Sequence, residues 1–494
     1  MSAVALARIA NALEREGLLV ARLGTLPDAV ASIADDSRMV TAQGLFVAVR
    51  GTRRDGHDFL DAAAGAGAAA AIVEDGARTA LPALVVRDGR RAAAVAAAAY
   101  YGEPAQSLSV IGVTGTNGKS TTVGMLRHLL DATTERAASI GTLGVLVGSA
   151  GVPLPRDGGL TTPGPIELQE VLRALVDAGV RHVALEVSSH ALDQRRVDGV
   201  AFAAAVFTNL TRDHLDYHGT MAAYAAAKAR LVGHLAPAGT AVINADDGAW
   251  SALPSAPRRL TFGISHEADV RATVLRYAPR GSSFVITHAG ARADVHLPLI
   301  GDFNVANALG AAACAIALGG ALSDVAARLS TMPQVPGRLE VLHRAPTVLR
   351  DYAHTPDALA RAIAAVRPFA EHRLIVVFGA GGDRDRGKRP DMGRIAVTGA
   401  DLAIATSDNP RTEDPEQILD DIEAGMGHRP HRRIEDRRAA IAAALAEAAA
   451  DDVILLAGKG HETYQIRGTT SHPFDEKAIV AELTAVGTTP PVRH

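Results

Sequence analysis

One cysteine, Cys314, stands among 494 residues. No intramolecular disulfide can form, which excludes a disulfide-stapled secreted scaffold and argues for a reducing compartment. Its surroundings, AAACAIAL, read as an alanine-rich helix that buries the thiol as a small hydrophobe. Aromatic residues are scarce at 4%, so the cores must be aliphatic, and alanine runs such as 92–99 read as small-residue helices. Charge of one sign is also scarce. Fifty Lys and Arg against 54 Asp and Glu leave a net charge of −4, which gives no support to non-specific nucleic-acid binding. No uninterrupted apolar run is long enough to cross a bilayer. Residues 1–19 pattern as an amphipathic helix interrupted by charge, without the apolar region of a signal peptide. The expectation is a cytoplasmic, monomeric enzyme acting on small molecules, with no membrane insertion and no nucleic-acid partner.

What is present is 48% hydrophobic residues, enough for several cores, over a length that suggests about three domains. The organising stretch is VIGVTGTNGKSTTV, 110–123. An apolar run over 108–113 reads as a buried strand, and a helical pattern begins at Ser120. Between them lie Gly115, Thr116, Asn117, Gly118 and Lys119. Strand, glycine loop, lysine, hydroxyl and helix form a phosphate-cradling arrangement. The glycines let backbone N–H groups approach phosphate, Lys119 neutralises β/γ oxygens, and Ser120 reaches Mg²⁺. Val113 stands where the general P-loop expression has its first glycine.

Before this stretch, 1–106 reads as a small α/β domain. It has strands at 44–49 and 70–73 and a charged loop at 50–58, in which Arg50, Arg53 and Arg54 either meet an anion or stay solvated. Tyr101-Gly102-Glu103-Pro104 reads as a linker. A central domain, 107–338, carries a segment at 141–147, a strand at 180–187 that includes Glu186 near its end, and a strand at 203–210 that runs into TRDHLDYHG. An acidic residue at such a strand end is where an NTPase holds a second Mg²⁺ ligand. A strand at 239–247 and a β-rich excursion over about 260–299 precede a long Ala/Leu helix from 302. Val335-Pro336-Gly337-Arg338 marks the boundary to a third domain, 339–494. Its strands at 374–378, 402–406 and 453–457 end in GAGGDRDR, SDNPR and GKGHE. Helical segments separate them, so the sheet is expected to be parallel, with ligands at the carboxyl ends of its strands. The fold class is α/β, in three domains.

VTGTNGKST, EVSSH, NLTRDHLDYHG, YAAAK, VPGRLE, DYAHTPDAL, GGDRDRGKRP, SDNPRTEDP and GKGHE occur in this order. Together they resemble the Mur ligase family along the whole chain, in its diaminopimelate-adding type. The resemblance implies a small N-terminal UDP-binding domain, a central P-loop ATPase domain with a mainly parallel sheet, and a C-terminal Rossmann-like domain. The implied activity is ATP-dependent formation of an amide between meso-2,6-diaminopimelate and the D-Glu γ-carboxylate of UDP-N-acetylmuramoyl-L-Ala-D-Glu. The reaction runs through an acyl phosphate, in peptidoglycan precursor synthesis. ATP would lie on Gly115, Thr116, Asn117, Gly118, Lys119, Ser120 and Thr121, with Asn307, Arg338 and Asp351. Ser120, Glu186, His214 and a carbamylated Lys228 would hold Mg²⁺; a carbamate offers the hard anionic oxygens that an ammonium does not. Lys119, Lys228 and His214 are the catalytic set. The UDP-muramoyl peptide would meet Ser37, Thr52, Arg53, Arg54, Thr161, Thr162, Ser188, Gln194 and Arg196. Diaminopimelate would meet Arg384, Asp408, Asn409, Pro410, Arg411, Gly458 and Glu462. Two positions depart from the family pattern: Leu160, where some members have Asn, and Asp35, where an apolar residue can occur.

The alternatives are the same ligase using L-lysine, a folylpolyglutamate-type ligase, and a non-catalytic nucleotide-binding protein. Diaminopimelate carries a second carboxylate that lysine lacks, and Arg411 supplies a cation of bidentate geometry for it.

Overall fold

Alternating strands and helices with apolar strand interiors force parallel sheets covered on both faces, and the computed structural model shows them. It describes residues 3–51, 54–132, 134–155, 159–278 and 281–486. The chain divides into two compact units. One comprises Met1–Arg271 with Ala308–Val325, the other Ala272–Asn307 with Ala326–His494.

In the first unit the N-terminal part carries a five-stranded sheet in the order Leu19–Leu23, Ala83–Val86, Ala68–Val73, Gly44–Val47, Ser32–Ala34. Only the edge strand Leu19–Leu23 runs antiparallel. The helix expected over 1–19 is confined to Leu6–Arg15. Gly17, at φ 64°, ends it: its N–H bonds to the Glu14 carbonyl at 2.8 Å and that of Leu18 to Leu13 at 2.8 Å. The chain then turns into the edge strand. The alanine run forms the helix Gly89–Tyr100, capped by Asp88, with Ala92–Ala94 and Val95–Ala99 all buried.

A larger sheet follows in the order Val152–Pro153, Gly144–Val147, Arg136–Gly141, Val180–Glu186, Ser109–Thr114, Phe202–Phe207, Leu235–Asn244, Arg258–Gly263. It continues into the first residues of Val270–Ala278, and all pairings from Arg136–Gly141 onward are parallel. The segment expected at 141–147 is instead a hairpin, with Gly144 opposite Gly141 and the turn closed by Gly144 at φ 82°. The phosphate-loop strand is central. Register puts Glu186 beside Val113 and Phe207 beside Thr114, so the three strand ends meet at one edge.

In the second unit, Gly281–His288 and Ala291–Leu297 form an antiparallel ladder within the expected β-rich excursion. A six-stranded sheet has the order Glu340–Arg344, Thr347–Asp351, Val453–Ala457, Leu374–Phe378, Leu402–Ala405, His431–Arg433. All its pairs are parallel except the first. The strands over 374–378 and 453–457 are wholly buried, which is why they read as unbroken apolar runs. With Leu402–Ala405, the strand beside Leu374–Phe378, their carboxyl ends deliver the three polar motifs to one edge of the sheet. A small hairpin, Tyr464–Arg467 with Thr470–Pro473, stands beside them.

Candidate active site

The phosphate loop is shaped by its neighbour strand. Gly115 has φ 148°, and a Cβ there would stand 1.9 Å from Thr208 Oγ1, so no side chain fits. Thr208 Oγ1 donates to the Asn117 carbonyl at 2.7 Å, while Asn209 Oδ1 accepts from Asn117 N at 2.9 Å and the Asn209 carbonyl from Thr116 N at 2.7 Å. The loop feeds the helix Lys119–Leu130, whose first N–H groups and dipole favour an anion. Ser120 and Thr121 are buried in its first turn. Lys119 Nζ folds back onto the carbonyls of Gly115, at 3.0 Å, and Thr116, at 2.7 Å.

Lys228 reaches the same place from the helix Met221–Ala229, whose N-terminus Thr220 caps. Its Nζ donates to the Gly115 carbonyl at 2.7 Å and stands 4.6 Å from the centre of the Tyr224 ring. The side chain is 1% exposed and has no ion pair among the described residues. Burial, then repulsion from Lys119, drives its pKa well below the ordinary lysine value; Asp213 opposes this more weakly.

Glu186 is likewise 1% exposed. Its carboxylate accepts from Thr142 N at 2.9 Å and Thr142 Oγ1 at 3.2 Å, and it has no cationic partner among the described residues. His214 begins the short helix Leu215–His218 at φ 53°. Its ring packs edge-on against His190, 4.8 Å between centres. His190 in turn packs against His218 and Tyr217, and burial with the neighbouring imidazoles lowers its pKa to about 4.

The structure gathers five of the residues expected to meet the UDP-linked substrate. Thr162 Oγ1 donates to the Glu186 carbonyl at 2.8 Å and accepts from Ser188 N at 3.0 Å. Arg196 donates to the Thr162 carbonyl at 2.9 Å and to Gln194 Oε1 at 2.7 Å. Thr161 Oγ1 accepts from Thr142 at 3.2 Å. Ser37 lies in the 3₁₀ turn Ser37–Met39 capped by Asp36; Asp35, just before it, is close enough to Arg196 for their charges to interact. Leu160 is exposed. Arg54 is exposed on its own loop, its carbonyl accepting from Gly51 N at 2.9 Å. Thr52 and Arg53 lie outside the described residues.

Asn307, Arg338 and Asp351 belong to the second unit. Asn307 is buried and bonds to Asn304 at 3.5 Å. Arg338 lies 4.9 Å from the Tyr352 ring centre. Asp351 accepts from Leu339 N at 2.8 Å. Burial pushes its pKa up to about 6 against the pull of Arg338.

At the carboxyl edge of the second unit's sheet, the DNPR segment is tied on both sides. Gly382 N bonds to the Asn409 carbonyl at 2.9 Å, and Arg411 N to the Ile466 carbonyl at 3.1 Å. Arg411 has φ 52°, left-handed for a non-glycine residue. Its Nη1 donates to the Gly382 carbonyl at 2.9 Å. Arg384 is exposed, and both arginines act on Asp383. Pro410 carries the chain from Asn409 to Arg411, and Gly458, at φ 119°, leaves a Cβ position only 2.9 Å from Asp408 Oδ2. Asn409 Nδ2 donates to Glu462 at 2.9 Å. At the centre is Lys459, wholly buried.

Lys459 was not singled out from the sequence, nor were Thr208, Asn209, Tyr224, His190 or Thr142. Asn209, Tyr224, His190 and Lys459 sit inside motifs that could have flagged them; Thr142 carries no such signal.

The Mur ligase middle-domain family model matches residues 113–315, the Mur ligase glutamate ligase domain matches 337–460, and the Mur ligase family catalytic domain matches 30–113. A UDP-N-acetylmuramoyl-L-alanyl-D-glutamate–2,6-diaminopimelate ligase of Geobacillus kaustophilus is 44% identical over 469 residues, covering 92% of this chain and 95% of its own. The ligase of the same name from Gloeobacter violaceus is 45% identical over 477 residues, 94% of this chain and 96% of its own. A solved structure with that name superposes at a TM-score of 0.67 and 35% identity, over 94% of this chain and 96% of that one. On that likeness, carried along nearly its whole length, the chain belongs to the Mur ligase family, in the branch of the diaminopimelate ligases.

Proposed function

We propose that this chain is an ATP-dependent ligase that joins meso-2,6-diaminopimelate to the D-Glu γ-carboxylate of UDP-N-acetylmuramoyl-L-Ala-D-Glu, releasing ADP and phosphate, in peptidoglycan precursor synthesis in the cytoplasm. Its three domains are read as 1–106, 107–338 and 339–494. The observation that carries the reading is the lysine pair on the Gly115 carbonyl, with Lys119 and Lys228 both donating to it. Two ammonium groups so close, one of them wholly buried, call for an anion between them. Triphosphate supplies it beside Lys119. At Lys228 burial and the Lys119 charge favour the neutral amine over the ammonium. That amine adds carbon dioxide: the Nζ–C bond forms, one proton leaves, and the side chain becomes an anionic carbamate.

The donor set then fits Mg²⁺. A hydroxyl at Ser120, a buried carboxylate without a cation at Glu186, an imidazole at His214 and a carbamate at Lys228 are mostly hard oxygen ligands. When bound, the ion neutralises charge on the phosphate oxygens. The chain's own groups do the rest. Backbone N–H groups of 115–121 and the Lys119 ammonium hold the transferring phosphoryl group. Asn307, Arg338 and Asp351 serve as nucleotide contacts. Thr161, Thr162, Ser188, Gln194 and Arg196, with Ser37, Thr52, Arg53 and Arg54, orient the UDP-linked peptide. The γ-carboxylate oxygen attacks the γ-phosphorus and ADP leaves. The amine of diaminopimelate then attacks the acyl carbon, and phosphate departs from the tetrahedral adduct. Arg411 and Arg384 bind the distal carboxylate, while Glu462 takes the distal ammonium beside Asp408, Asn409, Pro410 and Gly458.

The test is phosphate release from ATP with UDP-N-acetylmuramoyl-L-Ala-D-Glu, supplying diaminopimelate and lysine separately. Release with diaminopimelate and little with lysine is expected. Equal rates would make the chain a ligase of relaxed specificity, and no release with either would overturn the reading.

A further inference from the structure

Lys459 has three acceptors around one nitrogen: Asp408 Oδ1 at 3.4 Å, Asn409 Oδ1 at 3.0 Å and Glu462 Oε2 at 2.9 Å. Three acceptors require three N–H donors, so the group is an ammonium. It is 0% exposed and is locked on both sides. A turn closes behind it, Glu462 N bonding to the Lys459 carbonyl at 3.0 Å. Gly458 before it has φ 119° and no room for a Cβ, which lets the backbone lie against Asp408. Asn409 is pinned in turn, its Oδ1 also accepting from Ile466 N at 2.9 Å.

The charges can be counted. Arg437 is wholly buried and already paired with Glu476, equally buried, at 2.8 Å. The charges of Arg437 and His354 also reach Asp408; of the groups bonded to Lys459, Asp408 and Glu462 are anionic, two negative charges against one positive. Glu462 Oε2 is taken by both Lys459 and Asn409 Nδ2. Its side chain is the more open of the two carboxylates, 13% against 7% for Asp408. Glu462 is therefore the carboxylate of the pair more open to an incoming ammonium, linked to Arg411 through Asn409 and Gly382.

We propose that Lys459 is a positioning residue for amino-acid selection. Its buried ammonium braces Asp408, Asn409 and Glu462 and trims the pocket to a single negative charge, which suits the ammonium of a zwitterionic distal centre whose carboxylate goes to Arg411. The proposal rests on the assignment of this cluster as the diaminopimelate site. Without Lys459 the pocket holds two negative charges and a loosened Glu462, which favours lysine, whose distal end is purely cationic, over diaminopimelate, whose distal end is neutral overall.

The experiment uses the full chain, with phosphate release as the readout and Lys459→Met and Lys459→Gln as variants. The Gln variant retains hydrogen-bond donors and carries the same measurements if the Met variant does not fold. The KM for diaminopimelate should rise about tenfold to a hundredfold, equivalent to about 1.4–2.8 kcal/mol, and the KM for ATP by less than about threefold. The ratio of kcat/KM for diaminopimelate to that for lysine should fall by about tenfold. In a Glu462→Gln background the Lys459 substitution should add less than about threefold, because it acts through that carboxylate. Equal loss toward both amino acids with an unchanged ratio would overturn the inference, since a merely structural lysine would give that result. So would full additivity with Glu462→Gln. A wild-type chain that shows no diaminopimelate-dependent phosphate release would instead overturn the reading of the site itself.

Discussion

Lys228 in the first unit and Lys459 in the second are buried to the same degree, 1% and 0% exposed, yet they stand in opposite surroundings. Lys459 has two carboxylates and an amide oxygen on its nitrogen. Lys228 has one backbone carbonyl, an aromatic face and a second lysine. Burial alone does not decide what a lysine does; the partners do. A buried ammonium with acids around it is a strut. A buried amine beside another cation is driven toward its neutral form, which is the nucleophilic one.

The sharpest way to break this contrast is to remove the two lysines that donate to the Gly115 carbonyl. Lys119→Ala and Lys228→Ala should each lower turnover by about a thousandfold or more, the scale of losing a group that stabilises charge on the reacting atoms, with circular dichroism unchanged. A short carboxylic acid should restore part of the Lys228→Ala activity by placing an oxygen anion in the vacated space. Near-normal turnover by folded Lys119→Ala would sink the phosphate-loop assignment, and absence of rescue would count against the carbamate. Incubation with ¹³C-bicarbonate should give a carbamate carbon signal that disappears in Lys228→Ala and persists in Lys459→Gln.

A smaller effect is expected at the second unit's cluster. Arg411→Ala should raise the KM for diaminopimelate by about two to three decades, from roughly 3–5 kcal/mol for a stranded buried charge, while the KM for ATP changes far less. Arg411→Lys should rescue poorly, because a point charge lacks the planar fork. Loss of ATP and diaminopimelate affinity in equal measure would refute that account of selectivity.

Stability separates the two lysines directly. Lys459→Met strands Asp408 and Glu462 and should lose about 3 kcal/mol of unfolding free energy. Lys228→Met removes a buried amine that has no ion pair among the described residues, and in carbonate-free buffer its stability should stay within about 1 kcal/mol of wild type. Urea melts of the two variants check this, and equal losses would erase the distinction.

The smallest effect concerns pH. The Asp351 carboxyl is raised to about 6 in the fold from an unfolded value near 3.8, so its protonated form supports the native state. That contribution is full below the unfolded value and is lost as pH rises through the folded one. Asp351→Asn should therefore gain about 2 kcal/mol on wild type between pH 4 and pH 7. Thermal melts across that range that track wild type at constant offset would contradict it.

Much of this was legible because the signals are local. A buried parallel strand is an unbroken apolar run, and the glycine loop with Lys119 and Ser120 directly follows one, so strand and loop announce each other. The same holds for 374–378 and 453–457. What escaped was long-range or short. The strands Leu19–Leu23 and Ser32–Ala34 are brief and carry little alternation. The strand Arg136–Gly141 was not legible, and the turn after it depends on one positive-φ glycine, Gly144. The role of Lys459 depends on Asp408 and Asn409, 51 and 50 residues earlier, and no periodicity links them. GKGHE marks the lysine as unusual without saying what it holds.

The left-handed backbone of Arg411 carries a tension of its own. An L side chain at φ 52° is disfavoured by about 1–2 kcal/mol against glycine, a cost set by the Cβ and opposed by the guanidinium's bond to the Gly382 carbonyl. Arg411→Gly should therefore melt no lower than Arg411→Ala, although both remove the guanidinium proposed to bind the ligand. On the role proposed for Arg411, selection for thermal endurance alone would move this position toward glycine or asparagine at the expense of amino-acid discrimination.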